Sequence, residues 1–133
     1  MKFLLTLLLF VVMATPSQAR DKRDKEVNEG AKLVFERNEY DFGTISRKGE
    51  DCECVFRFEN KGNEPLVILS AQTSCSCMKT SFSRKPVPPQ GVGEIHLRLE
   101  SRKMEEGIFH RVIQIKSNST TGIELLTIKG RSE

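Results

Sequence analysis

The sequence predicts an all-β protein built on a single antiparallel β-sandwich of about seven strands. Short runs rich in Val, Ile, Leu and Phe recur through the chain, broken roughly every eight to twelve residues by Gly, Asn and Pro. Several runs alternate apolar and polar residues, as strands with one buried face do: Phe56 and Phe58 oppose Arg57 and Glu59, and Ile95, Leu97 and Leu99 oppose Glu94, His96 and Arg98. Setting aside a 19-residue leader from 133 residues leaves 114, the size of one domain with one core.

The leader comes first in the chain. Met1 to Ala19 opens with Lys2, continues through the apolar run Phe3 to Met13 and closes at Ser17-Gln18-Ala19, with small residues where a signal peptidase reads. The run is too short to span a bilayer, and no Cys stands at the cleavage point to take a lipid. The expectation is a periplasmic or secreted protein that is not a lipoprotein. Residues 20–32 follow as a charged, flexible tether, because Val27 is the one large apolar residue among alternating charges. The sandwich then occupies 33–131. Its expected strands are Leu33–Glu36, Tyr40–Phe42, Cys52–Glu59, Leu66–Thr73, Val92–Glu100, Ile108–Ser117 and Ile123–Lys129. Leu66-Val67-Ile68-Leu69 is apolar on both faces and reads as a central strand. Asn60-Lys61-Gly62-Asn63 and Ser117 to Gly122 read as turns. Pro86 to Gly91 contains three prolines, which lack an amide proton, and is expected to cross the surface unpaired.

Composition narrows function. Removing Lys2 with the leader leaves 20 basic residues against 18 acidic, a net charge of +2, which gives no pull toward nucleic acid or an anionic membrane. With no Trp and one Tyr there is no aromatic platform for stacking on bases or sugars.

Certain residues carry a specific pattern: Tyr40-Asp41-Phe42-Gly43-Thr44-Ile45, then Gly49, Phe56-x-Phe58-x-Asn60-x-Gly62, Pro65-Leu66-Val67-Ile68, Thr73-Ser74-Cys75-x-Cys77, the Pro-Pro-x-Gly stretch at 88–91 and Ser117-Asn118. Together, from about Tyr40 to Gly130, they resemble a bacterial exported family known only as domain of unknown function 1573. That resemblance implies an immunoglobulin-like sandwich related to major-sperm-protein and PapD-like domains, found largely in cell-envelope proteins of Bacteroidetes-type bacteria, with no established activity. It also implies structural roles for Asp41, Phe42, Gly43, Asn60, Gly62 and Pro65. Two departures stand out. Ser76 and Met78 replace the family's usual Gly and Thr, so a positive φ at residue 76 is not expected to carry over. Cys52 and Cys54 occupy positions that are ordinarily plain strand residues.

The four cysteines allow three disulfide connectivities. Pairing within a Cys-x-Cys needs a bent backbone, since two extended residues span about 6.6 Å, the upper edge for a bridge. A hairpin about Gly62-Asn63 brings Cys52 within reach of Cys75, whereas an immunoglobulin-like arrangement with those strands in opposite sheets removes that proximity. Cys52 and Cys54 share a face with Phe56 and Phe58 and also read as small core residues. Loop-like flanks mark Cys75 and Cys77 as the first candidates for a structural or redox disulfide. The spacing does not suit zinc. Two close thiolates with the Met78 thioether suit copper(I), the one cofactor alternative to none.

His96 and His110 lie on separate strands, and no elbow or triad order surrounds Ser74 or Cys75. Asn118-Ser119-Thr120 is a formal glycosylation acceptor, incidental in a bacterial chain. The sequence therefore predicts a non-enzymatic exported module that contacts another envelope protein, with an exposed sheet edge as the means. The alternative is thiol redox or copper(I) chemistry through Cys75 and Cys77.

Overall fold

A computed structural model describes residues 30–133. The leader expected at 1–19 and most of the tether expected at 20–32 lie outside the described residues. Gly30 to Lys32, placed in the tether by composition, are held by the domain: Ala31 is buried, and the Gly30, Ala31 and Lys32 carbonyls accept from the Asn63, Thr120 and Lys61 amides.

Eight strands form the domain: β1 (Leu33–Phe35), β2 (Glu39–Ile45), β3 (Cys52–Asn60), β4 (Ile68–Thr73), β5 (Met78–Phe82), β6 (Val92–Leu99), β7 (Gly107–Ser117) and β8 (Ile123–Ser132). One sheet runs β1-β3-β6-β5 and the other β2-β8-β7-β4. All pairings are antiparallel except β2 with β8. The first strand region is split, β1 lying in one sheet and β2 in the other, because the chain between them crosses over at Glu36 to Asn38.

The alternation read from the sequence sets the core. Cys54, Phe56 and Phe58 of β3 and Ile95, Leu97 and Leu99 of β6 point inward and are buried. They meet Ile113 and Ile115 of β7 and Leu126 and Ile128 of β8. The opposite positions of β3 and β6 carry a solvated charge lattice in which Glu94 joins Arg57 at 3.3 Å and His96 at 3.0 Å.

Four expectations are corrected. Met78–Phe82 is a strand, β5, where none was expected: Met-Lys-Thr-Ser-Phe has too little apolar alternation to announce itself. The stretch Leu66-Val67-Ile68-Leu69 is not a central strand. β4 begins at Ile68 and forms an edge, and Leu69 falls at a register shift between Ile68 and Ser70 that turns its side chain out, leaving it 52% exposed. β3 and β4 do not form a hairpin about Gly62-Asn63, since they belong to opposite sheets. Within the surface crossing at Pro86 to Gly91, Val87 does pair, exchanging backbone hydrogen bonds of 2.8 and 2.7 Å with Leu66. Val87 alone among its neighbours has the free amide this requires.

Candidate functional site

Part of the family pattern, Asn60-x-Gly62 with Pro65 to Ile68, the Pro-rich stretch and Ser117-Asn118, gathers at one end of the sandwich around Asn60. Its side chain is fully buried and fully satisfied. Oδ1 accepts from the Lys32 amide at 3.1 Å and the Gly62 amide at 3.0 Å, while Nδ2 donates to the Glu64 carbonyl at 2.7 Å and the Val87 carbonyl at 3.0 Å. One carboxamide thus ties the segment before β1, the turn after β3 and the Pro-rich crossing. Asn118 clamps the adjoining segment, accepting from the Val67 amide at 2.8 Å and donating to the Pro65 carbonyl at 3.0 Å. Ser119, dismissed above as part of an incidental acceptor, has a buried hydroxyl that accepts from the Leu33 amide at 3.1 Å. A polar residue at the end of a strand run is the signal that could have found it.

Asp41, Phe42 and Gly43 build a bulge in β2. The pairing with β8 shifts between Asp41 and Thr44, Gly43 adopts a φ of +66°, and Asp41 Oδ1 accepts the Gly43 amide at 2.8 Å. Phe42 packs edge-on against Tyr40 with ring centroids 4.8 Å apart. The left-handed backbone needs glycine, and the short Asp side chain stabilises it locally. These residues shape an edge rather than a reaction site.

The cysteines sit at the opposite end. Cys75 and Cys77 are joined by a disulfide with Cα atoms 5.2 Å apart, because the chain bends between β4 and β5 instead of running extended. The expected reach from Cys52 to Cys75 is not used, which follows from the placement of β3 and β4 in separate sheets. Ser76 does not adopt positive φ; among the described residues the one non-glycine that does is Gln90. The bend is held by the Met78 amide donating to the Cys75 carbonyl at 3.2 Å and the Thr73 hydroxyl donating to the same oxygen at 3.2 Å. Cys77 is fully buried and Cys75 half-buried.

Cys52 and Cys54 are unbonded. Cys54 lies in the core, where burial pushes its thiol up to about 12 against a smaller opposing pull from the Arg37 charge. Cys52 is half-buried, its sulfur 3.7 Å from the buried Ser101 hydroxyl, which donates to the Glu50 carbonyl at 3.0 Å. Met78 is buried in the core. Cys75 and Cys77 are thus bonded to each other, and the Met78 thioether faces the core. Among the described residues no three His, Cys, Asp or Glu side chains gather where they could hold a metal.

Beside Cys52 lies an open cleft of about 840 Å³ lined by Lys48, Glu50, Asp51, Arg98, Arg102 and Lys103 among others. Two ion pairs form within it: Arg98 binds Asp51 through Nε and Nη2, each at 2.9 Å, and Lys103 pairs with Glu100 at 2.6 Å. His96 is exposed on one sheet and His110 on the other.

The two edge strands flanking the Cys75–Cys77 bend, β4 and β5, differ in how they are finished. On β4 the outward carbonyls of Leu69 and Ala71 are covered by the Arg84 guanidinium at 3.4 Å and the Thr80 hydroxyl at 3.3 Å. On β5 the Glu100 amide donates to the Cys77 carbonyl at 2.7 Å, which fixes the ladder's phase. Antiparallel alternation then turns Lys79 and Ser81 toward β6 and the backbone groups of Thr80 and Phe82 outward. Among the described residues, the backbone N–H and C=O of Thr80 and Phe82 find no hydrogen-bond partner.

This architecture defines an immunoglobulin-like sandwich of the PapD-like kind. The chain belongs to the family described as "Protein of unknown function (DUF1573)", which it matches over residues 33–132. Among solved structures it resembles a protein of unknown function from Porphyromonas gingivalis W83, with a TM-score of 0.70 and 16% identity over 79% of this chain. It spans 48% of that protein's length. It also resembles the ASH/PapD-like domain 7 of human CEP192, with a TM-score of 0.63 and 12% identity, covering 78% of this chain and 87% of that one. The periplasmic chaperone SfaE aligns at a TM-score of 0.54 and 4% identity, over 76% and 58% of the two chains. No curated protein matches the sequence. Among the described residues no helix is long and apolar enough to cross a membrane.

Proposed function

We propose that the domain is a non-enzymatic, exported interaction module that contacts another cell-envelope protein by accepting a strand on the free edge of β5. The outward, unpartnered backbone groups of Thr80 and Phe82 carry this reading, because an unpaired edge is a template for a strand from another chain. Around it the family-pattern residues serve as scaffold, and the charged cleft holds two ion pairs of its own. The leader at Met1–Ala19 supports export, as does the Cys75–Cys77 disulfide, a bond that persists in oxidising compartments. The fold's likeness to a periplasmic chaperone agrees with it.

Photo-crosslinking in intact cells tests the proposal. A crosslinker replacing Ser81 on β5 is expected to trap a partner protein that one replacing Gln114, on the outer face of the other sheet, does not. Equal trapping at both positions, or none at Ser81, would refute edge recognition.

A further inference from the structure

We infer that the β5 edge selects an extended segment bearing acidic side chains; this rests on the strand-acceptor reading above. Strand addition itself is blind to sequence, since it uses backbone groups, so selectivity must come from the side chains flanking the edge. Here they are of one sign. From Cys77 to Pro86 the chain carries Lys79, Arg84 and Lys85 and no Asp or Glu. All three are exposed, and among the described residues none forms an ion pair. This contrasts with β3 and β6 of the same sheet, where Arg57 and Arg98 each hold a carboxylate.

The geometry gives the three cations different stations. Lys79 stands on the solvent face of β5, so it meets alternate side chains of an added strand. Arg84 lies over the Phe82 ring at 5.4 Å, at the strand's end. Lys85 follows it. Thr80 and Phe82 point inward and are half-buried, so the other face of an added strand would rest on the Phe82 ring and the Thr80 methyl. An extended peptide with acidic residues alternating with Val or Thr meets both faces. A basic peptide meets like charge at each station.

The test uses the mature chain with two synthetic eight-residue peptides, Glu-Val-Glu-Thr-Glu-Val-Glu-Thr and the same sequence with Lys in place of Glu. Binding is read by anisotropy, and strand addition by amide hydrogen exchange. The acidic peptide is expected to bind with an affinity that falls as salt rises, and to slow exchange at Thr80 and Phe82 by about tenfold or more. Reversing the three charges (K79E, R84E and K85E together) is expected to weaken binding about tenfold, as the loss of three exposed ion pairs predicts. Thr80→Pro removes an outward N–H, together with the hydroxyl bond to the Ala71 carbonyl, without touching the ladder to β6, and is expected to abolish the exchange protection at Phe82. Its far-ultraviolet circular dichroism checks that it folds. Equal binding of both peptides, or binding indifferent to the charge reversal, overturns acidic selectivity while leaving the edge reading intact if Thr80 and Phe82 are still protected. Binding without that protection overturns both, and absence of binding to the acidic peptide overturns the inference.

Discussion

Gly62 lies directly beneath the segment Gly30–Lys32: a Cβ at this position would stand 2.6 Å from the Lys32 amide nitrogen and closer still to the Gly30 carbonyl oxygen. Both are backbone atoms, so no side-chain rotation relieves the overlap. The Asn63 amide meanwhile donates to that same Gly30 oxygen at 2.9 Å. Gly62→Ala is therefore expected to destabilise the domain by about 2–4 kcal/mol, the cost of displacing packed backbone. Urea denaturation checks it, and an unchanged midpoint would show that residues 30–32 do not pack as described.

Asn60→Ala leaves the Lys32 and Gly62 amides and the Glu64 and Val87 carbonyls without their partner. Stranded groups in a buried site cost more than one ordinary hydrogen bond contributes, so a loss of about 3–4 kcal/mol is expected in the same assay. A loss below 1 kcal/mol, on the order of a single hydrogen bond, would contradict the fourfold role.

The disulfide pattern gives a countable result. Alkylation under denaturing conditions without reductant should label two thiols, Cys52 and Cys54, and two more after reduction. Mass spectrometry of the intact chain reads both counts; zero labels before reduction would establish a different connectivity. Because the loop closed is so short, the Cys75→Ser, Cys77→Ser double variant should lose only about 1–2 kcal/mol on the chain-entropy estimate, against roughly 3–4 for a Cys52–Cys75 bridge.

Cys54 supplies a pH signature. Burial raises its thiol from the ordinary 9.0 to about 12, so between these values the folded chain keeps a proton that the unfolded chain has released. Its contribution to stability is full below about pH 9 and declines as pH rises toward 12. Comparing Cys54→Val with the parent across this window should show a shallower decline in the variant. In the native chain at pH 8, iodoacetamide should modify half-buried Cys52 well before Cys54, by peptide mapping.

Much of the scaffold was legible because period-two burial writes itself into residue type. Phe56, Phe58, Ile95, Leu97 and Leu99 could be placed inward from their polar neighbours alone. Asp41-Gly43 and Asn60-x-Gly62 were visible as a pattern, but the pattern did not say that Asn60 would bind four backbone groups lying as far away as Val87. β5 escaped notice because an edge strand, paired on one side only, needs little apolar alternation. Leu69 misled for the converse reason: a register shift sends an apolar side chain to solvent, and no local rule marks where one falls.

The sequence by itself determined that the chain folds as a two-layer β-sandwich with an inward stripe on each long strand, since this depends on neighbours two residues apart. Only the tertiary structure decided which strands share a sheet, hence that Cys75 bonds Cys77 and not Cys52, and which strands lie at the sheet edges. Those outcomes depend on contacts between segments distant in the chain, where loop closure and the crossover at Glu36 to Asn38 choose among arrangements that satisfy the same local alternation.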